Sequence, residues 1–159
     1  MSWRLNWNTG NQTRDNHSKL TTLRWRIQSA SIVASVPLRG LQRAAASGTI
    51  LAGISAGANC WFETSSTDSF GPLAPLRDGL GFLPGSACPH HHGEEGRAET
   101  FRTWIADGTL SDPGFGLDDG AAAVFTDGAL TSVVTEDPVA CVHLVEGETE
   151  TPLESTLLA

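Results

Sequence analysis

The feature that most constrains this chain is the phrase Gly53-Ile54-Ser55-Ala56-Gly57. Directly before it runs Thr49-Ile50-Leu51-Ala52-Gly53-Ile54, short and nearly all apolar, which is how a strand buried on both faces of a parallel sheet reads. Directly after it, Gly57 and Ala58 allow a sharp turn into a short helix through Cys60, Trp61 and Phe62. A serine between a strand and a helix, flanked by small residues, is the setting in which G-x-S-x-G forms a nucleophile elbow. Such a turn lifts the hydroxyl clear of the sheet and aims the amide of Ala56 at a developing oxyanion. An α/β fold with Ser55 as nucleophile is therefore expected.

A serine nucleophile needs a base. His90, His91 and His92 follow Pro89 at the end of a short predicted strand, where open α/β sheets gather active-site groups, so one of the three is the expected base. His17 and His143 have no such context. The base needs an orienting acid, and the candidates are Asp68, Glu63 and the pair Asp118-Asp119 ahead of Gly120. Adjacent histidines without a nearby carboxylate or cysteine spacing do not predict a designed metal site, so no metal and no cofactor are expected.

Around these residues the pattern predicts a helix near 37–47, where Leu38, Leu41 and Ala45 recur at helical spacing before Gly48. Residues 64–85, rich in Ser, Thr, Gly and Pro, read as a long surface connection. Glu94 to Asp107 reads as an amphipathic helix with Phe101, Trp104 and Ile105 on one side. Ala121–Phe125, Leu130–Thr135 and Ala140–Val145 are β-rich runs, and Asp127-Gly128 between the first two predicts a hairpin. The end from Glu146 is acidic with little apolar content.

The 159 residues, 40% hydrophobic, suffice for one packed core. The net charge of -8 hides an asymmetry: residues 1–43 hold seven of the ten Lys/Arg but only one of the 18 acids, Asp15. Residues 1–36 show no sustained period and are expected to be an atypical, poorly structured basic segment ahead of a catalytic part at 37–159. A nucleic-acid arm is disfavoured because those cations form no helical stripe. Their Arg-, Ser- and Thr-rich, acid-poor texture also resembles a transit segment. Three cysteines, Cys60, Cys88 and Cys141, show no C-x-x-C spacing. With no long apolar run and no secretory h-region, a soluble cytoplasmic protein that keeps clear of membranes is expected.

Taken together, Gly53-Ile54-Ser55-Ala56-Gly57-Ala58, Thr67-Asp68, Cys88-Pro89-His90 and Gly116-Leu117-Asp118-Asp119-Gly120, in this order and spacing, resemble the peptidase E (aspartyl dipeptidase) family of serine peptidases. The resemblance spans about residues 37–159. It implies a class I glutamine amidotransferase-like (flavodoxin-like) α/β fold and hydrolysis of small peptides with an N-terminal Asp. It maps the family's serine to Ser55, its histidine to His90 and its usual acid to Asp68, with Asp119 the alternative acid. It also implies early sheet strands and a Gly-Gly-Asn-type turn that supplies a second oxyanion donor. Residues 1–36 offer only Asn8-Thr9-Gly10-Asn11, so a truncated or frame-shifted product is expected, and a catalytically dead remnant is the alternative function. A general α/β serine hydrolase or esterase is disfavoured, because its acid and histidine normally lie much farther from the serine than the 13 and 35 residues here. A glutamine amidotransferase would need a thiolate at Ser55. Arg77 and Arg97 are the candidate substrate-binding cations.

Overall fold

The protein is described from a computed structural model, which covers residues 38–158. The expected segment at 1–36, with Asn8-Thr9-Gly10-Asn11 and His17, lies outside the described residues. Helix α1 (Leu38–Ala46) forms where the helical spacing predicts it and buries Ala45. Helix α2 is a single turn, Ala56–Asn59, and α3 is Arg97–Ala106. Nine strands follow the elbow: β1 (Phe62–Thr67), β2 (Ala74–Leu76), β3 (Leu83–Pro89), β4 (Gly114–Leu117), β5 (Ala121–Thr126), β6 (Ala129–Thr135), β7 (Val142–Glu146), β8 (Thr149–Pro152) and β9 (Thr156–Leu157).

They build a six-stranded sheet in the order β2-β1-β3-β4-β7-β8 and a three-stranded one in the order β5-β6-β9. In the larger sheet β1, β3 and β4 run parallel, flanked by antiparallel β2 on one side and the antiparallel β7-β8 hairpin on the other. The fold is mixed α/β, as expected, with β-hairpins toward the C-terminus. The parallel pairing of Pro89 with Leu117 decides where function can sit. It carries His90–His92 and Asp118–Asp119 out of the same sheet end, side by side, as parallel sheets do with residues that follow their strands.

One core cluster contains Trp61, Phe62, Leu83, Phe115, Phe125, Val133 and Val142. Phe125 meets Phe62 and Phe115 edge-on, the latter at a centroid distance of 5.2 Å, a geometry that adds to simple area burial. A second cluster, Cys88, Phe101, Ile105, Leu110 and Val145, lies under α3.

Three local expectations differ from what forms. The run at 49–54 is not a strand: Leu51 makes a single bridge, and Ile50 and Ile54 are 51% and 45% exposed. A doubly buried strand needs ladder neighbours and cover on both faces, and among the described residues this run has no ladder. The helix after Ser55 stops at Asn59, and Phe62 opens β1 instead. Residues 64–85 are not all surface connection, since they complete β1 and supply β2 and the start of β3. Their hydroxyl-rich composition hides this: Ser65 and Ser66 are fully buried, held by backbone pairing with β2 and β3 rather than by apolar side chains. The acidic end likewise pairs, as β8 and β9.

Candidate active site

Ser55 sits at φ 53°, ψ −126°, a conformation L-residues avoid and one that costs about 1–3 kcal/mol unless its surroundings impose it. The surroundings here are very tight. A Cβ on Gly53 would stand 1.9 Å from the Gly57 carbonyl oxygen, so only glycine allows the chain to double back at this point. The turn is closed by Gly57 N–H donating to Ile54 O at 2.8 Å and Ala58 N–H donating to Ser55 O at 2.8 Å. Buried Asn59 then donates from Nδ2 to Ser66 O at 2.8 Å, which anchors α2 to β1. The Ala56 amide begins the helical turn, where backbone N–H groups have no partner within the helix.

The Ser55 hydroxyl lies 2.9 Å from His90 Nε2, and His90 Nδ1 lies 2.6 Å from Asp119 Oδ1. His90 also has a positive φ, 56°, as the chain turns sharply off the end of β3. Ser55, Ile54, Trp61, Phe62, His90 and Asp119 all line one open cavity. Its outer edge is wet: the Asp119 side chain is 69% exposed and that of His90 is 32% exposed.

The other candidate acids are engaged elsewhere. Asp68 Oδ2 accepts from Arg97 Nη2 at 2.7 Å. Glu63 accepts from the backbone N–H of Gly85 at 3.1 Å. Asp118 turns away from His90 and accepts from Cys141 N–H at 3.1 Å, with His92 Nδ1 at 2.9 Å and His143 Nε2 at 3.1 Å. Burial acts to raise the Asp118 carboxyl, but the hydrogen bonds from His143, His92 and Cys141 outweigh it and hold the group below the usual carboxylate range. Glu150 is likewise held low, by His91, His143 and His92 against the opposing effect of burial.

The two candidate cations do not face Ser55. Arg97 is 2% exposed and paired with Glu94 and Asp68, and it bridges to the Pro89 carbonyl at 3.5 Å. It ties the end of β1 to the end of β3 beneath the histidines. Arg77 is exposed. No Lys or Arg is among the described residues that line the cavity.

The three histidines have different settings. His91 is fully buried and His92 is half-exposed; both point away from Ser55 toward His143 and Glu150. This cluster of His91, His92, His143, Asp118 and Glu150 was invisible to sequence reading, because its members come from four separate stretches joined only by sheet pairing. The one available signal was the His90-His91-His92 triplet itself. Burial also sets the thiols apart, pushing Cys60 and Cys88 up to about 12.

The sequence model of peptidase family S51 matches residues 34–133. Over 95 residues, 60% of this chain, the sequence is 46% identical to the uncharacterized peptidase YgaJ of Bacillus subtilis (strain 168). The matched stretch is 40% of that relative's length, so the chain spans well under half of the curated protein it resembles. No helix among the described residues is long and apolar enough to cross a membrane. With a family match over more than half of its residues, the chain belongs to peptidase family S51, the peptidase E family.

Proposed function

We propose that this chain is a serine peptidase acting on small peptides, with Ser55 as nucleophile, His90 as general base and Asp119 as the acid that orients it. The observation that carries this is the 2.9 Å approach of Ser55 Oγ to His90 Nε2 on a strained elbow, with Asp119 2.6 Å behind the ring. The second choice for the acid in the sequence reading is preferred over the first because Asp68 is held by Arg97.

The chemistry is acyl transfer. Ser55 Oγ gives its proton to His90 Nε2 and attacks the peptide carbonyl, while the Ala56 amide holds the oxyanion. His90 then passes the proton to the departing amine. A water, deprotonated by the same nitrogen, adds to the acyl-enzyme and releases Ser55. Asp119 keeps Nδ1 protonated, so that Nε2 carries the accepting lone pair. No step calls for a cofactor.

Preference for an N-terminal Asp follows from the family resemblance. The apolar cavity wall of Trp61, Phe62 and Phe125 supplies no cation for it, so that preference needs a positive group from outside the described lining. The exposure of Asp119 favours slow turnover, since water competes with the carboxylate for the imidazolium. A catalytically inactive remnant is the second reading. The test is hydrolysis of a panel of amino-acyl chromogenic amides, Asp and Leu among them, by the 159-residue chain and by Ser55→Ala. Release that disappears in the variant is expected, whereas a folded chain that cleaves none of them sinks the peptidase reading.

A further inference from the structure

A second constellation, sharing no side chain with the serine site, stands on the same end of the sheet. Sheet register creates it. Gly116 of β4 pairs with His143 of β7, and Glu150 of β8 pairs with Val145, two residues from His143 on the same face of the hairpin. His91 folds back over β4, where a Cβ on Gly116 would stand 2.5 Å from its ring, so glycine makes the space for this imidazole. His92 closes the group, with ring centroids 4.6 Å from His91 and 4.5 Å from His143.

The imidazole–carboxylate contacts in this group outnumber the N–H groups that neutral rings could place in them. His91 is fully buried; neither ring nitrogen makes a hydrogen bond of good geometry, and Nε2 meets Glu150 Oε2 only as an ion-pair contact at 3.3 Å. A buried polar group without a partner is costly and uncommon. His92 places Nδ1 2.9 Å from Asp118 and Nε2 3.2 Å from Glu150, and His143 also faces both carboxylates, at 3.1 and 3.3 Å. A neutral imidazole has one N–H, so each ring can donate to one carboxylate and must turn a lone pair toward the other. A cation between those lone pairs and Glu150 replaces the repulsion with coordination and gives His91 Nε2 a partner.

We propose that this chain binds one Zn²⁺-class divalent ion through His91 Nε2, His92 Nε2 and the Glu150 carboxylate. The three donor atoms lie within 4.8 Å of one another. His91 Nε2 stands 3.3 Å from Glu150 Oε2 and His92 Nε2 stands 3.2 Å from Glu150 Oε1, gaps that an ion with ligand bonds of about 2 Å can bridge. Two imidazoles and a carboxylate suit Zn²⁺ better than Ca²⁺ or Mg²⁺, which take oxygen ligands. Asp118 completes the arrangement from behind, accepting from His92 Nδ1 as carboxylates do behind metal-bound histidines. Arg102, 3.2 Å from Glu150 Oε2, is an opposing charge, and its side chain is 40% exposed with room to swing to solvent. Half-exposed His92 provides the entry path. The sequence expectation of no metal rested on the triplet lacking a nearby carboxylate; Glu150 and Asp118 arrive from β8 and from the end of β4.

The test is calorimetric titration of the purified 159-residue chain with Zn²⁺, beside Glu150→Gln, His92→Gln and His90→Gln, each checked for folding by circular dichroism. One ion per wild-type chain is expected, with affinity at least ten-fold weaker in Glu150→Gln and His92→Gln and unchanged in His90→Gln. A Zn²⁺-dependent rise in Tm in the wild type, absent in His92→Gln, is expected alongside. Should Glu150→Gln not fold, the half-exposed His92→Gln carries the comparison. No bound ion, equal affinity in wild type and His92→Gln, or the same loss in His90→Gln would overturn the proposal.

Discussion

Replacing Asp119 and Asp68 separately by Asn separates the two acids by their effect on Ser55 reactivity. Asp119→Asn removes the charge 2.6 Å from His90 Nδ1 and lets the amide donate toward that nitrogen, favouring the wrong tautomer. A hydrogen bond to a charged group contributes about 1.5–3 kcal/mol, which is roughly 10–150-fold in rate. The 69% exposure of Asp119 places the expected loss toward the lower half of that range, because water can solvate the imidazolium in its stead. Asp68→Asn removes only one of the partners of Arg97, which keeps Glu94 and the Pro89 carbonyl. It should cost about 1 kcal/mol of stability and leave Ser55 reactivity within about three-fold. The assay is the rate of covalent labelling of Ser55 by an organic phosphonofluoridate, read by mass spectrometry, with urea unfolding for stability. Slow labelling in folded Asp68→Asn with normal labelling in Asp119→Asn would refute the reasoning and return the role to Asp68.

Other consequences follow from packing and burial. Gly53→Ala should lower Ser55 labelling by more than ten-fold, because its Cβ cannot stand 1.9 Å from a backbone oxygen without opening the elbow; unchanged labelling would mean that the turn is not strained. Phe101→Ala, at a fully buried position under the sheet, should destabilise by about 3–5 kcal/mol in urea unfolding. Cys60 and Cys88, with thiols pushed up to about 12, should resist iodoacetamide at pH 8 in the folded protein and react once it is unfolded in urea. Since the unfolded thiols ionise first, the stability they contribute is full below about pH 9 and is lost as pH rises toward 12. An alkaline unfolding midpoint that does not move in a Cys60→Ala, Cys88→Ala double variant would contradict that assignment.

What could be read from sequence was local. The elbow was legible because its tight turn demands glycine at 53 beside the serine, and the β5-β6 hairpin because Asp127-Gly128 supplies two positive φ values. Helix α3 was legible through Phe101 and Ile105, although it starts at Arg97, after the acidic Glu94-Glu95. Elements held by backbone pairing were lost. Strand β1 buries serines, and β4, the sheet centre, reads Gly114-Phe115-Gly116-Leu117, too rich in glycine to show strand propensity. The doubly apolar run at 49–54 erred in the other direction, since hydrophobicity reports what could be buried and not what pairs with it. For the site, the sequence pattern singled out Ser55 and the triplet His90–His92, and the family resemblance alone singled out His90 among the three. The proposed preference for Asp119 over Asp68 rests on the pairing of Asp68 with Arg97, a contact made only by three-dimensional packing.

The central claim is that His90 activates Ser55. Its most direct test is peptide mapping of the phosphonofluoridate adduct on the folded 159-residue chain, beside Ser55→Ala and His90→Ala. The account predicts one adduct, on Ser55, absent in the first variant and slowed by at least about 10²-fold in the second. A folded wild-type chain with no adduct on Ser55, or with labelling indifferent to His90, would contradict it.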